Sequence, residues 1–305
     1  MKLSAENEFE AMRPTLMGIA YRLLGTRNDA EDAVQDVFIR WYEQQASANP
    51  VDNPQAWLTK VCTNRCLDIL KSAHHKRMTY VGPWLPEPLQ TEMVGSTEET
   101  AERGNSLDYA FMVVLERLSP KERAAYLLRE IFDRDYGEVA DILAISEVNC
   151  RKIVSRARRR VSDGSVRVEN SATMQKALLV AFRKALHTGD TRSFANMLSR
   201  SIELHADGGG KVVAAQDVLR GDKLIVNFVR HGLYHAWRRL DLIEVQVNGG
   251  PGLLLRRGEE IVGCVTCEID GDNHADRLFI LRNPEKLAQL GMRSRVDLMK
   301  GEISF

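Results

Sequence analysis

Apolar residues recur every three or four positions over most of the chain up to about Ser162, and at alternate positions from about Ile202. The first texture predicts amphipathic helices and the second half-buried strands. A first helical block spans about Glu8 to Gly82, with breaks at Gly25-Thr26-Arg27-Asn28 and at Asn49-Pro50-Val51-Asp52-Asn53-Pro54. Gly82-Pro83-Trp84-Leu85-Pro86-Glu87-Pro88 then carries three prolines, and Glu92, Glu98, Glu99 and Glu102 follow, so an acidic extended linker is expected. A second helical block covers about Ser106 to Asp163 and ends at Ser162-Asp163-Gly164-Ser165. In the third block Met174, Ala177, Leu178, Ala181, Phe182 and Ala185 form one helical face, and a shorter helix is expected around Phe194 and Leu198. Ile202, Leu204 and Ala206 alternate with polar residues, as do Ile243, Val245 and Val247, with a turn at Asn248-Gly249-Gly250-Pro251-Gly252. The expected domains are 1–83, a linker 84–105, 106–165 and 170–305.

Within the first block, Ala30, Val34, Val37, Phe38 and Trp41 fall on one helical stripe while Asp29, Asp32 and Asp36 fall on an adjacent one. Like charges three and four residues apart cost an isolated helix a few tenths of a kcal/mol per pair, roughly, so a basic partner is expected to offset them. Tyr136 to Leu143, a short turn through Ala144-Ile145, and a helix opening at the N-cap Ser146 have the proportions of a helix-turn-helix. Val148, Ile153 and Ala157 are expected inside, leaving Asn149, Arg151, Lys152, Ser155, Arg156 and Arg159 outside to meet phosphates and base edges. A solvated basic helix is the alternative. Trp57, one turn into the helix that opens at Pro54, is expected in the core rather than as a base-stacking platform.

The 42 basic and 42 acidic residues cancel, which alone would argue against nucleic acid. Their distribution reverses that conclusion. Asn28–Glu43 holds five acids against Arg40, Ser146–Val161 holds six bases against Glu147, and Pro54–Arg77 holds five bases against Asp68. The last segment, basic with neutral polar side chains, suits single-stranded DNA beside an opened duplex. Five cysteines without framework spacing fit a reducing compartment, and no apolar run approaches the roughly 18 residues of a membrane span. With Met1–Glu10 polar, neither membrane association nor export is expected, and the chain is expected in the cytoplasm. Cys264 and Cys267 would point to opposite faces of a strand, and His74 and His75 have no third ligand at usable spacing, so no metal is expected.

The acidic helix from Asp29 to Trp41 resembles the core-binding helix of bacterial extracytoplasmic-function (ECF) RNA polymerase sigma factors, and the helix-turn-helix with Leu118-Ser119-Pro120-Lys121-Glu122-Arg123 resembles their domain 4. Trp84-Leu85-Pro86-Glu87-Pro88, Asp207-Gly208-Gly209-Gly210-Lys211 and Asn283-Pro284-Glu285-Lys286-Leu287 are similar to signatures of the SigJ-type subgroup, fused to a SnoaL-like domain. Glu285 stands where that signature favours Asp. The resemblance implies two all-α sigma domains followed by an α+β SnoaL-like cone-shaped barrel with a pocket. It also implies that Asp29, Asp32, Gln35 and Asp36 hold the β′ subunit of core polymerase, that Asn64, Arg65, Asp68 and Lys71 meet the melted −10 strand, and that Asn149, Arg151, Lys152, Ser155 and Arg156 meet the −35 duplex. The linker would thread near the polymerase active site. Trp84, Pro86, Asp207, Gly208, Gly209, Lys211, Asn283, Pro284 and Lys286 would be regulatory, with a small-molecule ligand as a candidate occupant of the pocket.

No cofactor and no covalent chemistry are expected. Glu203, His205 and Asp207 share one strand face, the sort of acid and base cluster found in ketosteroid-isomerase relatives, but the fold does not carry the function and a structural role is favoured. Two rivals remain: a conventional helix-turn-helix regulator with a ligand-sensing C-terminal domain, which has no need of the acidic helix, and a SnoaL-like enzyme tethered to DNA.

Overall fold

In the computed structural model, which describes residues 5–46, 51–78, 80–91, 108–162 and 171–291, the periodicities become the expected elements. The chain divides into two compact units, one made of 1–79 with 111–165 and the other of 80–110 with 166–305. The linker glutamates 92, 98, 99 and 102, the side chains of His74 and His75, and the Asp163–Ser165 break lie outside the described residues.

The first unit begins with α1 (Ala5–Leu24), α2 (Arg27–Gln45) and α3 (Pro54–Met78). Their stripes close on Phe9, Leu16, Ile19, Val34, Val37, Trp41 and Leu58, all buried. Phe38 meets Phe9 edge-on at 4.9 Å, and Trp57 tilts against the buried Trp41 at 5.4 Å while staying half-buried, so it packs on the core without being enclosed in it. Asn53 caps α3, its side-chain oxygen accepting from the Ala56 N–H at 3.0 Å. The unit continues from Phe111 through the rest of α4 (Tyr109–Leu115), whose first two residues count with the second unit, then α5 (Pro120–Tyr126) with a π-helical turn over Leu127–Ile131, α6 (Tyr136–Leu143) and α7 (Glu147–Ser162). Ser119 and Glu122 form a reciprocal capping box with Pro120 at the first helical position, so α5 starts where the sequence says it must.

Two buried arginines tie these helices to the first three. Arg123, only 3% exposed, donates from Nη1 to the Leu23 carbonyl at 2.7 Å and to Glu116 at 2.5 Å. Arg22 lies 5.5 Å from the Phe132 ring centroid, and burial pulls its guanidinium down to about 10.

The second unit opens with α8 (Ser171–Thr188) and α9 (Arg192–Ala195). β2 (Leu198–Asp207), β3 (Leu219–Arg220), α10 (Asp222–Asn227), a π-helical turn over Phe228–Leu233 and α11 (Tyr234–Trp237) follow. It closes with β4 (Asp241–Val247), β5 (Gly250–Arg257), β6 (Glu260–Ile269), β7 (Ala275–Leu281) and α12 (Pro284–Leu287). With β1 (Gln90–Thr91) at one edge, the seven-stranded sheet runs β1-β4-β5-β6-β7-β2-β3. Neighbours are antiparallel except β2 and β7, which are parallel.

Phe182, Phe194, Ile202, Leu204, Trp237, Leu255, Val265 and Leu278 fill one face of this sheet, so the side covered by the helices is packed with apolar side chains. Cys267 belongs to that core while Cys264 does not, as alternation along β6 requires. The turn between β4 and β5 has only Asn248 and Gly249 between paired Val247 and Gly250, both at positive φ, the geometry of a tight two-residue hairpin loop.

Three expectations fail locally. Val148 is 66% exposed; the inward stripe of α7 runs through Cys150, Ile153, Val154, Ala157 and Val161, so Ile153 and Ala157 face inward as expected but the stripe starts two positions after Val148. Ala177 is exposed, and Gln175 is buried in its turn by donating to the Cys267 carbonyl at 2.9 Å. Leu198 opens β2 rather than ending a helix.

Phe182 is fully buried between α8 and the sheet. Phe182→Ala should lower the unfolding free energy of the second unit by about 3–5 kcal/mol, measured by urea denaturation followed by tryptophan fluorescence.

Candidate functional site

The acids of α2 split into two environments. Asp29 is exposed and accepts from Thr26 Oγ1 at 2.5 Å at the start of the helix. Asp32 and Gln35, also exposed, have no hydrogen bond or ion pair among the described residues. One helical turn further, Ile39 and Tyr42 are 49% and 71% exposed, so the outward face of α2 is acidic at its start and apolar at its end. Asp36 turns instead toward α3 and pairs with Arg65 at 2.6 Å. Arg65 offsets the charge of Asp36 alone and leaves Asp29 and Asp32 of the stripe without a basic partner among the described residues. Its position in the chain could not be read from spacing, because the contact joins two helices.

On α3, Asn64 and Arg65 are half-buried, while Asp68 and Lys71 are exposed and paired with each other at 2.9 Å. In the helix-turn-helix, α6 ends on a left-handed Ala144, and Ser146 accepts from the Asn149 N–H at 3.3 Å to start α7. Asn149, Arg151, Lys152, Ser155 and Arg156 are all exposed along α7. Arg151 lies 4.3 Å over the Tyr136 ring and reaches back to Glu147, which fixes its fork beside the helix start. Further along, Arg158 and Arg160 pair with Glu130 and Glu122 at 2.8 Å and are used within the unit. Burial pushes the Glu122 carboxyl up, but hydrogen bonds from Ser119 and the nearby Arg160 and Arg156 outweigh it and leave Glu122 below the ordinary value.

The second unit gathers three separated motifs at one buried point. Asp207, at the end of β2, is completely buried, and Lys286 of α12 is 7% exposed. Lys286 Nζ donates to Asp207 Oδ2 at 2.7 Å and to the Leu85 carbonyl at 2.6 Å, with the Trp84 ring centroid at 4.1 Å and the Tyr80 ring centroid at 5.0 Å. The other donors to the Asp207 carboxylate are the Leu85 N–H (3.0 Å), the Tyr80 hydroxyl (2.6 Å) and the Gly209 N–H (2.9 Å). Asn283 holds the Tyr80 oxygen at 2.9 Å and caps α12 through the Glu285 N–H at 3.1 Å.

The glycines of the motif are dictated by this packing. A Cβ on Gly208 would stand 2.4 Å from the Val212 carbonyl, and one on Gly209, at φ +63°, 2.4 Å from the Asn283 amide. Pro284 starts α12, and Glu285 pairs with Lys211, joining the second motif to the third. Pro86 is buried, and its carbonyl accepts from the Tyr109 hydroxyl at 2.8 Å.

Two contributors escaped the sequence reading. Tyr80 lies ahead of the motif it serves, and burial, followed by its contact with Asp207, raises its hydroxyl well above the ordinary value. Asn248, fully buried, exchanges hydrogen bonds with Leu89 and so docks the chain ahead of β1. An aromatic residue four positions ahead of Trp84 is a usable signal for the first, whereas the hairpin role of Asn248 conceals the second.

Glu203 and His205 pair with each other at 2.9 Å, and Arg220 adds a bond to Glu203 at 3.0 Å. Burial raises the Glu203 carboxyl, but His205 and Arg220 outweigh this and leave it lowered. With Asp207 committed to Lys286, all three members of this strand face serve in ion pairs or hydrogen bonds.

Residues 9–76 match the family Sigma-70 region 2, and residues 109–161 match Sigma-70, region 4. The chain is 37% identical over 226 residues to the ECF RNA polymerase sigma factor SigJ of Mycobacterium tuberculosis, covering 73% of this chain and 71% of that protein. A probable ECF RNA polymerase sigma factor of the same organism, SigI, is 25% identical over 284 residues, covering 92% of this chain and 94% of its own. The crystal structure of M. tuberculosis SigJ superposes with a TM-score of 0.70 at 31% identity, covering 92% of this chain and 98% of that one.

Breaking the buried pair is costly because it strands a charge. Asp207→Ala and Lys286→Met should each destabilise the second unit by about 3–5 kcal/mol. The double variant should fall short of the sum by about 1–3 kcal/mol, read from a double-mutant cycle in urea.

Proposed function

Because the chain belongs to the ECF RNA polymerase sigma factors, and so serves promoter recognition in transcription initiation, we propose that each exposed charged face of its first unit has a distinct partner. The outward face of α2, with Asp29, Asp32 and Gln35, docks on a basic surface of the polymerase β′ subunit, and Asp36 joins it when its pair with Arg65 opens. Asn64, Arg65, Asp68 and Lys71 of α3 line the melted −10 strand. Asn149, Arg151, Lys152, Ser155 and Arg156 of α7 read the −35 duplex, with phosphate contacts setting register and base-edge contacts setting specificity. The polymerase supplies the chemistry and the sigma chain supplies position, which also assigns it to the cytoplasm. On this reading residues 1–83 and 106–165 are sigma domains 2 and 4.

The observation that carries the reading is that one unit holds both an exposed acidic face on α2, where Asp32 and Gln35 have no partner among the described residues, and an exposed basic face on α7. A repressor needs the second face and not the first, which disfavours the regulator alternative.

We further infer that residues 170–305 modulate the sigma activity. The support is the buried network that ties 80–91, next to the sigma domains in the chain, to Asp207 and Lys286. Trp84, Pro86, Asp207, Gly208, Gly209, Lys211, Asn283, Pro284 and Lys286 act together as that anchor. A small-molecule effector would have to use an open depression, since the helix-covered face of the sheet is filled; one of about 380 Å³ lies between Val81-Gly82 and the loop with Lys211 and Ala214.

Run-off transcription with purified core polymerase tests both levels. Asp32→Lys, at an exposed position without a partner, should cut product at least tenfold and abolish polymerase pull-down while leaving the thermal midpoint unchanged. Truncation after Asn170 should change product yield on the same promoter. Full activity of Asp32→Lys would overturn the docking assignment, and unchanged yield on truncation would overturn the modulation.

A further inference from the structure

Away from the anchor, the second unit carries a cationic face that neither its core nor its network uses. Arg183 and His187 near the end of α8, Arg238 and Arg239 just after α11, and Arg256 at the end of β5 line one open depression of about 670 Å³, with Asp241 as its only acid. Asp241 is taken by Arg256 at 3.1 Å, and Arg183 is taken by Glu244 at 3.0 Å. Arg238 and Arg239 are exposed and have no acidic partner among the described residues; Arg238 only leans toward the Tyr234 ring at 5.9 Å. Adjacent unpaired guanidinium groups repel each other, and nothing in the unit's own packing requires them there.

We propose that this face is a second, sequence-independent contact to the phosphate backbone of duplex DNA. Two observations and one consequence of the promoter reading select that partner. All the permanent cations of the depression are arginines, whose planar fork fits phosphate oxygens in pairs, whereas a lysine is a point charge. The depression is open, so it cannot enclose the greater part of a small ligand's surface as small-molecule pockets do, but it can receive the edge of an extended polyanion. DNA is also brought close by the same chain: once α7 is on a promoter, a tethered second site sees neighbouring phosphates at an effective concentration on the order of millimolar. The inference rests on the promoter-binding reading for its source of DNA, and extends it to a unit for which no DNA contact is otherwise assigned.

Fluorescence anisotropy of the full chain on a labelled duplex of scrambled sequence, across a salt series, tests it. Arg238→Glu/Arg239→Glu should weaken binding at least tenfold and reduce the slope of log K against log salt by about two, since each phosphate contact contributes roughly 0.9. Arg238→Lys/Arg239→Lys should retain most of the slope, and circular dichroism should be unchanged in both, because neither side chain is buried. If the charge-reversed chain keeps affinity and slope while Arg156→Ala on α7 loses them, the arginine face is not a DNA contact and the promoter reading stands. If polyglutamate competes as well as unlabelled duplex at equal charge, the face takes acidic chains in general and the proposal falls. Failure of the promoter reading itself shows separately, as loss of run-off product dependence on the sigma chain.

Discussion

A carboxylate and an ammonium buried together set the order of the second unit. Isolated in an apolar interior, either Asp207 or Lys286 would be strongly unfavourable, and their mutual attraction offsets that cost only when every remaining lone pair and proton is also satisfied. Here they are satisfied by the most distant parts of the unit's sequence: Tyr80 and the Leu85 backbone from one end, Gly209 beside the acid, and Asn283 from the other end. No one of these segments can leave without stranding the rest. The network therefore specifies a single arrangement of three segments that have no continuous apolar stripe to align them, and it explains why glycine is required at two successive positions where the chain passes Val212 and Asn283.

This anchor also changes what the proline-rich segment is. By composition it is a spacer, extended and free of helical period, and it is indeed extended. Its residues Leu85 to Pro88 are nonetheless buried, β1 adds to the sheet edge against β4, and Leu89 is held on both sides by Asn248. An extended backbone has unpaired N–H and C=O groups that must find partners when buried. The sheet edge and the Asp207–Lys286 pair supply them, so a segment that resembles a tether in sequence behaves as part of a folded unit.

The helices, the alternating apolar positions of the strands and the capping residue of α7 could be read from residue spacing, because each depends on neighbours within about one turn or one strand; the motifs at Trp84, Asp207 and Asn283 came from the family resemblance instead. What escaped depends on contacts across the fold. Val148 had the character of an inward residue, but the register of α7 is fixed by Cys150 and Val154 packing, which local pattern does not show. That Asp36 and Arg65 pair with each other is set by the packing of α2 on α3, which residue spacing within either helix does not show. The arginine depression draws on α8, the end of α11 and β5, so no window of sequence contains it.

The Asp36–Arg65 pair carries a consequence for how the first unit can act. Both side chains remain more than a third exposed, and an ion pair in that setting contributes roughly 0–1 kcal/mol, little enough for a better partner to replace it. A basic surface that takes Asp36 must release Arg65, and a DNA strand that takes Arg65 must release Asp36. Each event therefore removes the competitor of the other. On the proposed docking of α2 and α3, two binding steps on neighbouring helices would become mutually favourable through this one exchangeable contact.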